Sequence, residues 1–337
     1  MDKKDTVCAV VVTYNRKELL LKCLTALASQ THPLEAIYII DNASSDGTSA
    51  ILKENGYLKQ NNVLTESSFE SECEKYLPVS RGRESRTKIF YFRNRINTGG
   101  AGGFYEGVKR GHEKGYDWLW LMDDDVYPEK NALECLYKRL GESDVLVPLA
   151  VSEGTSKVID WSGVSCDLSS PFNKFYKIAV HQVYAYPENI PETLEISDFS
   201  FEGPLVSSNI INKAGYPRKD FFIYCDDTEY ALRIKKNGGK ILLVKGAILL
   251  KDLSDPHLPM ARWKEYYYKR NMMWIYKTYG ENIFVKYLKP VLYSAAVIIT
   301  QGLFRMDSYK IKITIFALLD AFTDNFVCRT LPCKDVK

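Results

Sequence analysis

Trp118-Leu119-Trp120-Leu121-Met122-Asp123-Asp124-Asp125 is the stretch on which the reading of this chain turns: five apolar residues run straight into three carboxylates. A short apolar run of that kind reads as a strand buried on both faces. Three adjacent carboxylates cannot follow it into the interior, because an unpaired buried charge is too costly. The strand is therefore predicted to end at about Asp123, at the edge of the sheet, with the acids facing solvent or a cation. Successive strand side chains point to opposite sides, so Asp123 and Asp125 are expected to converge and Asp124 to turn away. Two converging carboxylates with open positions suit a hard divalent cation, Mg2+ or Mn2+, that also holds a phosphate. The plainer reading is a solvated acidic turn with a helix N-cap before Pro128, and this stretch alone leaves both open.

Working outward, Val7 to Val12 is a second continuous apolar run, hence another buried strand. The turn Thr13-Tyr14-Asn15-Arg16 follows, then Leu19, Leu20, Cys23, Leu24, Leu27 and Ala28 at the spacing of one helix face. Ile37 to Ile40 is a strand ending at Asp41, and Asn42 to Thr48 is a polar loop opening a short helix. Strand, helix and strand joined by short loops make a βαβ unit, whose ligands bind at the carboxyl ends of the strands. Thr13, Asn15 and Asp41 lie at such ends; as a loop carboxylate, Asp41 could equally cap the next helix. Tyr57 to Thr87 is polar and without clear periodicity, and reads as a partly mobile insertion. Ile89 to Phe92 is the next strand, followed by the Gly-rich stretch Asn97-Thr98-Gly99-Gly100-Ala101-Gly102-Gly103 and a helix from Phe104 to about Gly111. Glycines in that position let backbone N–H groups approach a phosphate, or simply let a helix pack closely. The register is not that of a dinucleotide fingerprint.

Beyond the acidic run the sequence predicts a helix from about Glu129 to Leu140 and a strand from Val145 to Leu149. Val151 to about Pro191 breaks the pattern and reads as an antiparallel section where an acceptor pocket could form. Phe221 to Cys225 is apolar and predicted to be a strand. It runs into Asp226-Asp227-Thr228-Glu229, a second acidic cluster at a helix start, where negative charge also suits the helix dipole. Ile241 to Val244 is another strand.

The 337 residues allow one large α/β domain with an appendage, or two domains. Eight scattered cysteines without a CxxC pair exclude a zinc ribbon or disulfide framework and suit a reducing cytoplasm. The N-terminus has no apolar h-region, so no secretory signal is read, and no apolar run reaches spanning length. From His257 onward there are 13 Lys/Arg against 6 Asp/Glu, while the remainder carries 32 against 36. A mildly acidic body with a basic, aromatic tail implies an anionic surface or acceptor for the tail. Residues 1–256 are accordingly read as the catalytic domain and 257–337 as a C-terminal helical region, either packed on that domain or lying on a membrane interface.

Taken in order, Val11-Val12-Thr13-Tyr14-Asn15-Arg16, Asp41 to Thr48, Asn97 to Phe104, Asp123-Asp124-Asp125, Phe222 to Tyr230 and Tyr267-Tyr268-Lys269-Arg270-Asn271 resemble the family-two inverting glycosyltransferases of the GT-A fold. The likeness spans residue 7 to about 275. The Gly-rich stretch with a triple Asp looks most like the galactofuranosyltransferase branch, with rhamnosyltransferases as neighbours. The resemblance implies an α/β, Rossmann-like, mostly parallel sheet with helices on both faces. It implies a metal-dependent enzyme of cell-envelope polysaccharide synthesis using a nucleotide-sugar donor, UDP-linked galactofuranose first. The acceptor would be a glycan or lipid-linked saccharide, met at the inner face of the cell membrane; nucleic acid is not expected among the partners.

Thr13, Asn15, Arg16 and Asp41 would hold the nucleoside, Asp41 accepting from the base N–H. Asn97, Gly99 and Gly100 would line the diphosphate and ribose, with Asp123 and Asp124 also on the donor side. Asp123 and Asp125 would take the metal, with His257 as the further metal ligand of the branch. Asp227 would be the general base, with Asp226 and Glu229 competing for that role or orienting the acceptor hydroxyl. An inverting transfer needs such a base and a cation to stabilise the departing diphosphate. Three other readings stand beside this one: a rhamnosyltransferase using a dTDP-linked donor, a nucleotidyltransferase, and a non-catalytic, cation-dependent carbohydrate-binding module. The second would need a basic Gly-rich loop where Thr13-Tyr14-Asn15-Arg16 stands. The third would show no metal-dependent melting shift with UDP.

Overall fold

Val7–Thr13 forms β1, and all of it is buried. Cys8, Val10 and Val12 join one apolar cluster; Val7, Ala9 and Val11 join another on the opposite face. The run is apolar without interruption because both faces of its sheet are covered. The structure, a computed structural model, describes residues 4–60, 68–79, 83–173, 176–251, 260–301 and 306–330.

After β1 come α1 (Lys17–Ala28), β2 (Ala36–Asp41) and α2 (Thr48–Glu54), the βαβ unit expected from the sequence. β3 (Phe69–Val79) and β4 (Arg83–Arg93) follow as a long antiparallel hairpin. The predicted insertion between Tyr57 and Thr87 is thus largely strand where it is described. β3 is an edge strand, and its polar alternation is that of a strand with a wet face, Arg86 pairing with Glu74 across the hairpin. α3 (Gly99–Glu113), β5 (Trp118–Asp123), β6 (Val126–Pro128), α4 (Ala132–Tyr137) and β7 (Val145–Ser152) come next. The irregular section holds the two-stranded antiparallel hairpin β8 (Gly163–Cys166) and β9 (Lys177–Ala179), then α5 (Val180–Val183) and β10 (Thr193–Glu195). β11 (Leu205–Ser207), α6 (Ser208–Ala214), α7 (Asp226–Lys236) and β12 (Ile241–Lys251) complete the sheet region. The chain ends in α8 (Lys264–Tyr279), α9 (Lys289–Thr300) and α10 (Ser308–Phe322).

The strand order is β10-β12-β7-β11-β5-β1-β2-β4-β3, with β6 beside β12. β5, β1, β2 and β4 are parallel neighbours, whereas β11 runs antiparallel to both β5 and β7. The sheet is therefore mixed and parallel for the most part: β12, β7, β5, β1, β2 and β4 run one way, and β10, β6, β11 and β3 the other. α1 and α4 pack on one face, and α3, α6 and α7 on the other.

Two expectations change. The glycines from Gly99 to Gly103 are not a loop but the first turn of α3. A Cβ on Gly103 would lie 2.4 Å from Val12 Cγ1 and one on Gly107 2.3 Å from Val10 Cγ1, so these glycines let α3 lie directly on β1. Phe221–Cys225 is not a strand. It is the end of a single 3-10 turn followed by Phe222, Tyr224 and Cys225 at φ of 66°, 66° and 63°, left-handed values that non-glycine residues rarely adopt. The run is apolar because it is wrapped by α8 and α10, not because it lies in a sheet: Phe221, Phe222 and Cys225 share a cluster with Tyr266, Tyr267, Ile275, Ile313 and Ala317. The C-terminal helices thus share a core with the region before them. The expected boundary at 256/257 and His257 lie outside the described residues. Among the described residues no helix is long and apolar enough to cross a membrane.

Candidate active site

A cavity of about 390 Å³ opens at the carboxyl ends of β1 and β5, where a sheet of this kind presents ligands. Four parts of the chain converge on it. The end of β1 supplies Thr13, Tyr14 and Arg16, and the start of α3 supplies Asn97, Gly99 and Gly100. The end of β5 supplies Asp123 and Asp124, and the left-handed loop supplies Ile223, Tyr224, Asp226 and Asp227. Glu202, Trp263 and Lys264 close the wall.

The α3 terminus is fixed by Asn42. Its Nδ2 donates to Asn97 Oδ1 (3.0 Å) and to the Gly99 carbonyl (2.7 Å), and its Oδ1 accepts from Thr98 N (3.0 Å). Gly99 has φ +73°, and a Cβ there would stand 1.8 Å from the Phe222 carbonyl oxygen, so helix and loop can meet only at a glycine. The positive end of the helix dipole therefore faces the cavity, although Gly99 N already donates to Asn97 Oδ1 (2.8 Å) and Ala101 N to the Phe222 carbonyl (3.1 Å), so a diphosphate would meet the dipole and the Gly100 backbone. Lys264 stands on the same wall, its ammonium pKa lowered by burial and then by Arg16. Asn15 and Asp41 do not line the cavity. Asn15, at φ 52°, accepts from Ser45 N (2.7 Å) and ties the two strand-end loops together. Asp41 is 1% exposed; Ser44 N (2.7 Å) and Tyr91 Oη (2.7 Å) already donate to its two oxygens.

At the first acidic cluster β5 ends at Asp123, so the strand alternation stops there and does not turn Asp124 away. Asp124 lines the cavity, buried, accepting from Thr13 Oγ1 (2.7 Å) and Arg16 Nη1 (3.2 Å). Burial pushes its carboxyl up to about 6, against the pull of Arg16. Asp125 lies beside the cavity, 3.2 Å from Arg16 Nη1 and 3.6 Å from Lys251 Nζ, which also binds Glu202. Asp123 is raised well above the usual carboxylate range by burial and then by the charge of Asp125.

These residues fit a divalent cation. Asp125 Oδ1 is buried and accepts no hydrogen bond. Asp123, Asp124, Asp125 and Glu202 crowd together with Arg16 and Lys251 as their paired cations, and a bound cation would offset the burial and the Asp125 charge that oppose ionisation of Asp123. Among the described residues no group of three or more His, Cys, Asp or Glu side chains is gathered as a metal cage. One or two carboxylates completed by substrate phosphates are the usual holding for Mg2+.

The second cluster divides in two. Asp226 and Asp227 line the cavity, at the start of α7. Glu229 does not; its carboxylate is bound by Arg233 at 3.0 and 2.9 Å and by Tyr279 Oη at 2.7 Å, so it braces α7 against α8 instead of meeting a substrate. Burial holds Asp227 up at about 6, with Lys177 opposing and Asp198 adding to the shift. Asp226 is raised by burial and then by Asp227. The sequence reading missed Lys264, Glu202, Asn42, Lys177 and Asp198. Asn42 stood in a quoted motif, and Lys264 stood in a basic aromatic run that was read as appendage. Lys177 and Asp198 come from the irregular section, where no periodicity points to them.

The chain belongs to glycosyl transferase family 2, whose model matches residues 8–62 and 67–185. It is similar to galactofuranosyltransferase GlfT1 of Mycolicibacterium smegmatis, 24% identical over 71% of this chain and 68% of that protein. It is equally similar, at 24%, to galactofuranosyltransferase GlfT1 of Mycobacterium tuberculosis, over 69% of this chain and 66% of that protein. In structure it resembles S. aureus TarS residues 1–349, with TM-score 0.51 and 12% identity over 95% of this chain and 81% of that one. It also resembles GalNAc-T7, solved with UDP, GalNAc and Mn2+, with TM-score 0.54 and 15% identity over 97% of this chain and 59% of that one. The fold is therefore GT-A with C-terminal helices, and the protein is a glycosyltransferase near the galactofuranosyltransferase branch.

Proposed function

We propose that the protein transfers galactofuranose, with inversion, from a UDP-linked donor to a hydroxyl of a lipid-linked saccharide. The observation that carries this reading is the arrangement of one cavity between two acid pairs, Asp123 and Asp124 on one side and Asp226 and Asp227 on the other. In this reading the diphosphate lies against the α3 terminus and Lys264, beside Asp123. Asp227 takes the proton of the acceptor hydroxyl as that oxygen attacks the anomeric carbon from the side opposite the diphosphate. The C–O bond to the diphosphate breaks, its electron pair leaves with the phosphate, and the positive end of α3 and Lys264 receive the charge. Asp123 and Asp125 would hold a divalent cation, which supplies further neutralisation of the departing diphosphate when bound. A base buried at about 6 is largely ionised at neutral pH yet still basic enough to accept a proton.

The membrane-borne acceptor is supported by the outer face of the C-terminal region. Phe284, Tyr287, Leu288 and Val291 stand exposed at helical spacing beside Lys286. Such a face suits peripheral contact with the inner leaflet of the cell membrane. The test is donor hydrolysis with and without Mn2+, offering UDP-galactofuranose and dTDP-rhamnose in parallel, with proton NMR of the released sugar. Metal-dependent consumption of the UDP donor with inverted anomeric configuration is expected. Preference for dTDP-rhamnose would move the protein to the neighbouring branch, and no hydrolysis of either would refute the reading.

A further inference from the structure

Behind the second acid pair lies a charged network that the reaction outlined above does not use. Asp198 is fully buried, in the segment before β11. Gly163 N (2.6 Å), Lys177 Nζ (2.9 and 3.2 Å) and Thr228 Oγ1 (3.1 Å) all donate to its carboxylate. Thr228 is the residue after Asp227, and its N–H donates to Asp227 Oδ1 at 2.6 Å. Asp198 and Asp227 are therefore clamped through one residue. Tyr176, next to Lys177, places its hydroxyl 3.3 Å from Thr228 Oγ1.

We propose that Lys177 is a positioning residue of the transfer: carried in by β9 and anchored on Asp198, its ammonium holds the Asp227 carboxylate ionised for the acceptor proton. The inference rests on the reading of Asp227 as the base. The groups acting on Asp227 are Asp226 on its own helix, Asp198 and Glu202 from the segment before β11, and Lys177 and Tyr176 from the β9 side. Burial and the carboxylates of Asp198 and Glu202 favour keeping the proton on Asp227, and Lys177 is the cation set against them. A buried ion pair is weak evidence of a stabilising role, because desolvation offsets most of the attraction. The Lys177–Asp198 pair is therefore poorly explained as a mere dock for the β8–β9 hairpin.

The two explanations differ in sign. Aspartate labelled with 13C at the carboxyl would be titrated by NMR in the full chain, the Asp227 resonance being assigned by its loss in Asp227→Asn. Lys177→Met should move the Asp227 midpoint up by about one pH unit, the lower end for loss of a neighbouring opposite charge. Asp198→Asn should move it down, since a negative charge is removed and the ammonium is released toward Asp227. The double variant should return close to the parent, and Lys177→Arg should keep the parent midpoint. The acid limb of UDP-galactofuranose hydrolysis should follow each shift. A docking pair would lower the melting temperature in both single variants and leave the midpoint where it was. That result, or shifts in the same direction, overturns the proposal, and Asp198→Asn with Lys177→Arg suffices if Lys177→Met does not fold. Asp227→Asn retaining full transfer would overturn the base assignment and this inference with it. Inactive Asp227→Asn with unmoved midpoints overturns this inference alone.

Discussion

The two acidic clusters reach the same cavity by different physics. Asp123 is delivered by β5, a regular strand between parallel β1 and antiparallel β11, and Asp124 is then pinned by Thr13 and Arg16 from the neighbouring strand end. Asp226 and Asp227 follow three left-handed residues that no regular element supports. Their loop is held from about fifty residues away: Asn271 Nδ2 donates to the carbonyls of Phe221 (3.1 Å), Ile223 (3.1 Å) and Tyr224 (2.8 Å), and Arg270 Nη2 to Phe221 (2.9 Å). Both side chains are 0% exposed. The acids at the end of β5 are thus positioned by the sheet, and Asp226 and Asp227 by the C-terminal helices. A region that looks like an appendage is part of the scaffold of the proposed site.

The largest effect expected is at the base. Asp227→Asn should lower transfer by about 10²–10⁴-fold, the usual contribution of a general base, while leaving UDP and metal affinity nearly unchanged. If transfer persists in Asp227→Asn but vanishes in Asp226→Asn, the base is the neighbouring acid and the contrast between clusters stands. If neither change matters, the second cluster only caps α7 and the contrast is broken.

Next comes the support of that cluster. Asn271→Ala orphans the carbonyls of Ile223 and Tyr224, while Phe221 keeps Arg270 as a donor; each buried unsatisfied group costs about 1–3 kcal/mol, so a loss of about 2 kcal/mol or more is expected in denaturant unfolding. Thr13→Val removes one hydrogen bond to Asp124 and should cost about 1 kcal/mol. Equal losses in the two variants would show that the loop is less dependent on α8 than its hydrogen bonds imply.

That contrast also explains what could be read in the chain before its structure. The parallel centre was legible because β1, β2 and β5 are uniformly apolar, and only a sheet covered on both faces asks for that. The end of β5 was legible because three acids cannot stay inside. Phe221–Cys225 misled because a short buried apolar run looks alike in a strand and in a loop wrapped by helices. What distinguishes them, the amide of Asn271 and the guanidinium of Arg270, is remote in sequence. Asp124 misled for a smaller reason: alternation holds only while the strand continues, and β5 stops one residue too early. The polar β3–β4 hairpin misled because an edge strand needs little apolar surface.

A third test separates the roles of the clusters. In Asp125→Ala the metal-dependent part of UDP binding should disappear while the fold survives, since this acid is not core. Saturating a ligand at about 100 times its Kd stabilises by about 2.7 kcal/mol, so the melting shift given by UDP with Mn2+ is easily read and should fall to that given by UDP with EDTA. Asp227→Asn should keep the full shift. Wild-type binding and turnover unchanged in excess EDTA would remove the cation from the donor side, leaving Arg16 and Lys251 to balance the carboxylates.

The smallest effect concerns the outer face of the C-terminal region, and it bears on whether these helices have one task or two. The inner side, α8 with α10, packs on the loop before Asp226. The outer side does not serve that purpose: Ile283 is 65% exposed, Phe284 57% and Tyr287 50%. Apolar side chains left in water at helical spacing beside Lys286 suit a surface that is both apolar and anionic. The protein should therefore sediment with vesicles containing anionic lipid, more weakly as salt rises, because charges beyond about 8 Å are screened at physiological ionic strength. A lysine near such a surface contributes about 1 kcal/mol, so Lys286→Glu should lower partitioning several-fold. Phe284→Ser with Tyr287→Ser should lower it further without changing hydrolysis of the soluble donor, because neither residue reaches the cavity. Equal partitioning onto neutral and anionic vesicles, or none at all, would leave the C-terminal helices with the single task of holding the loop before Asp226 and Asp227.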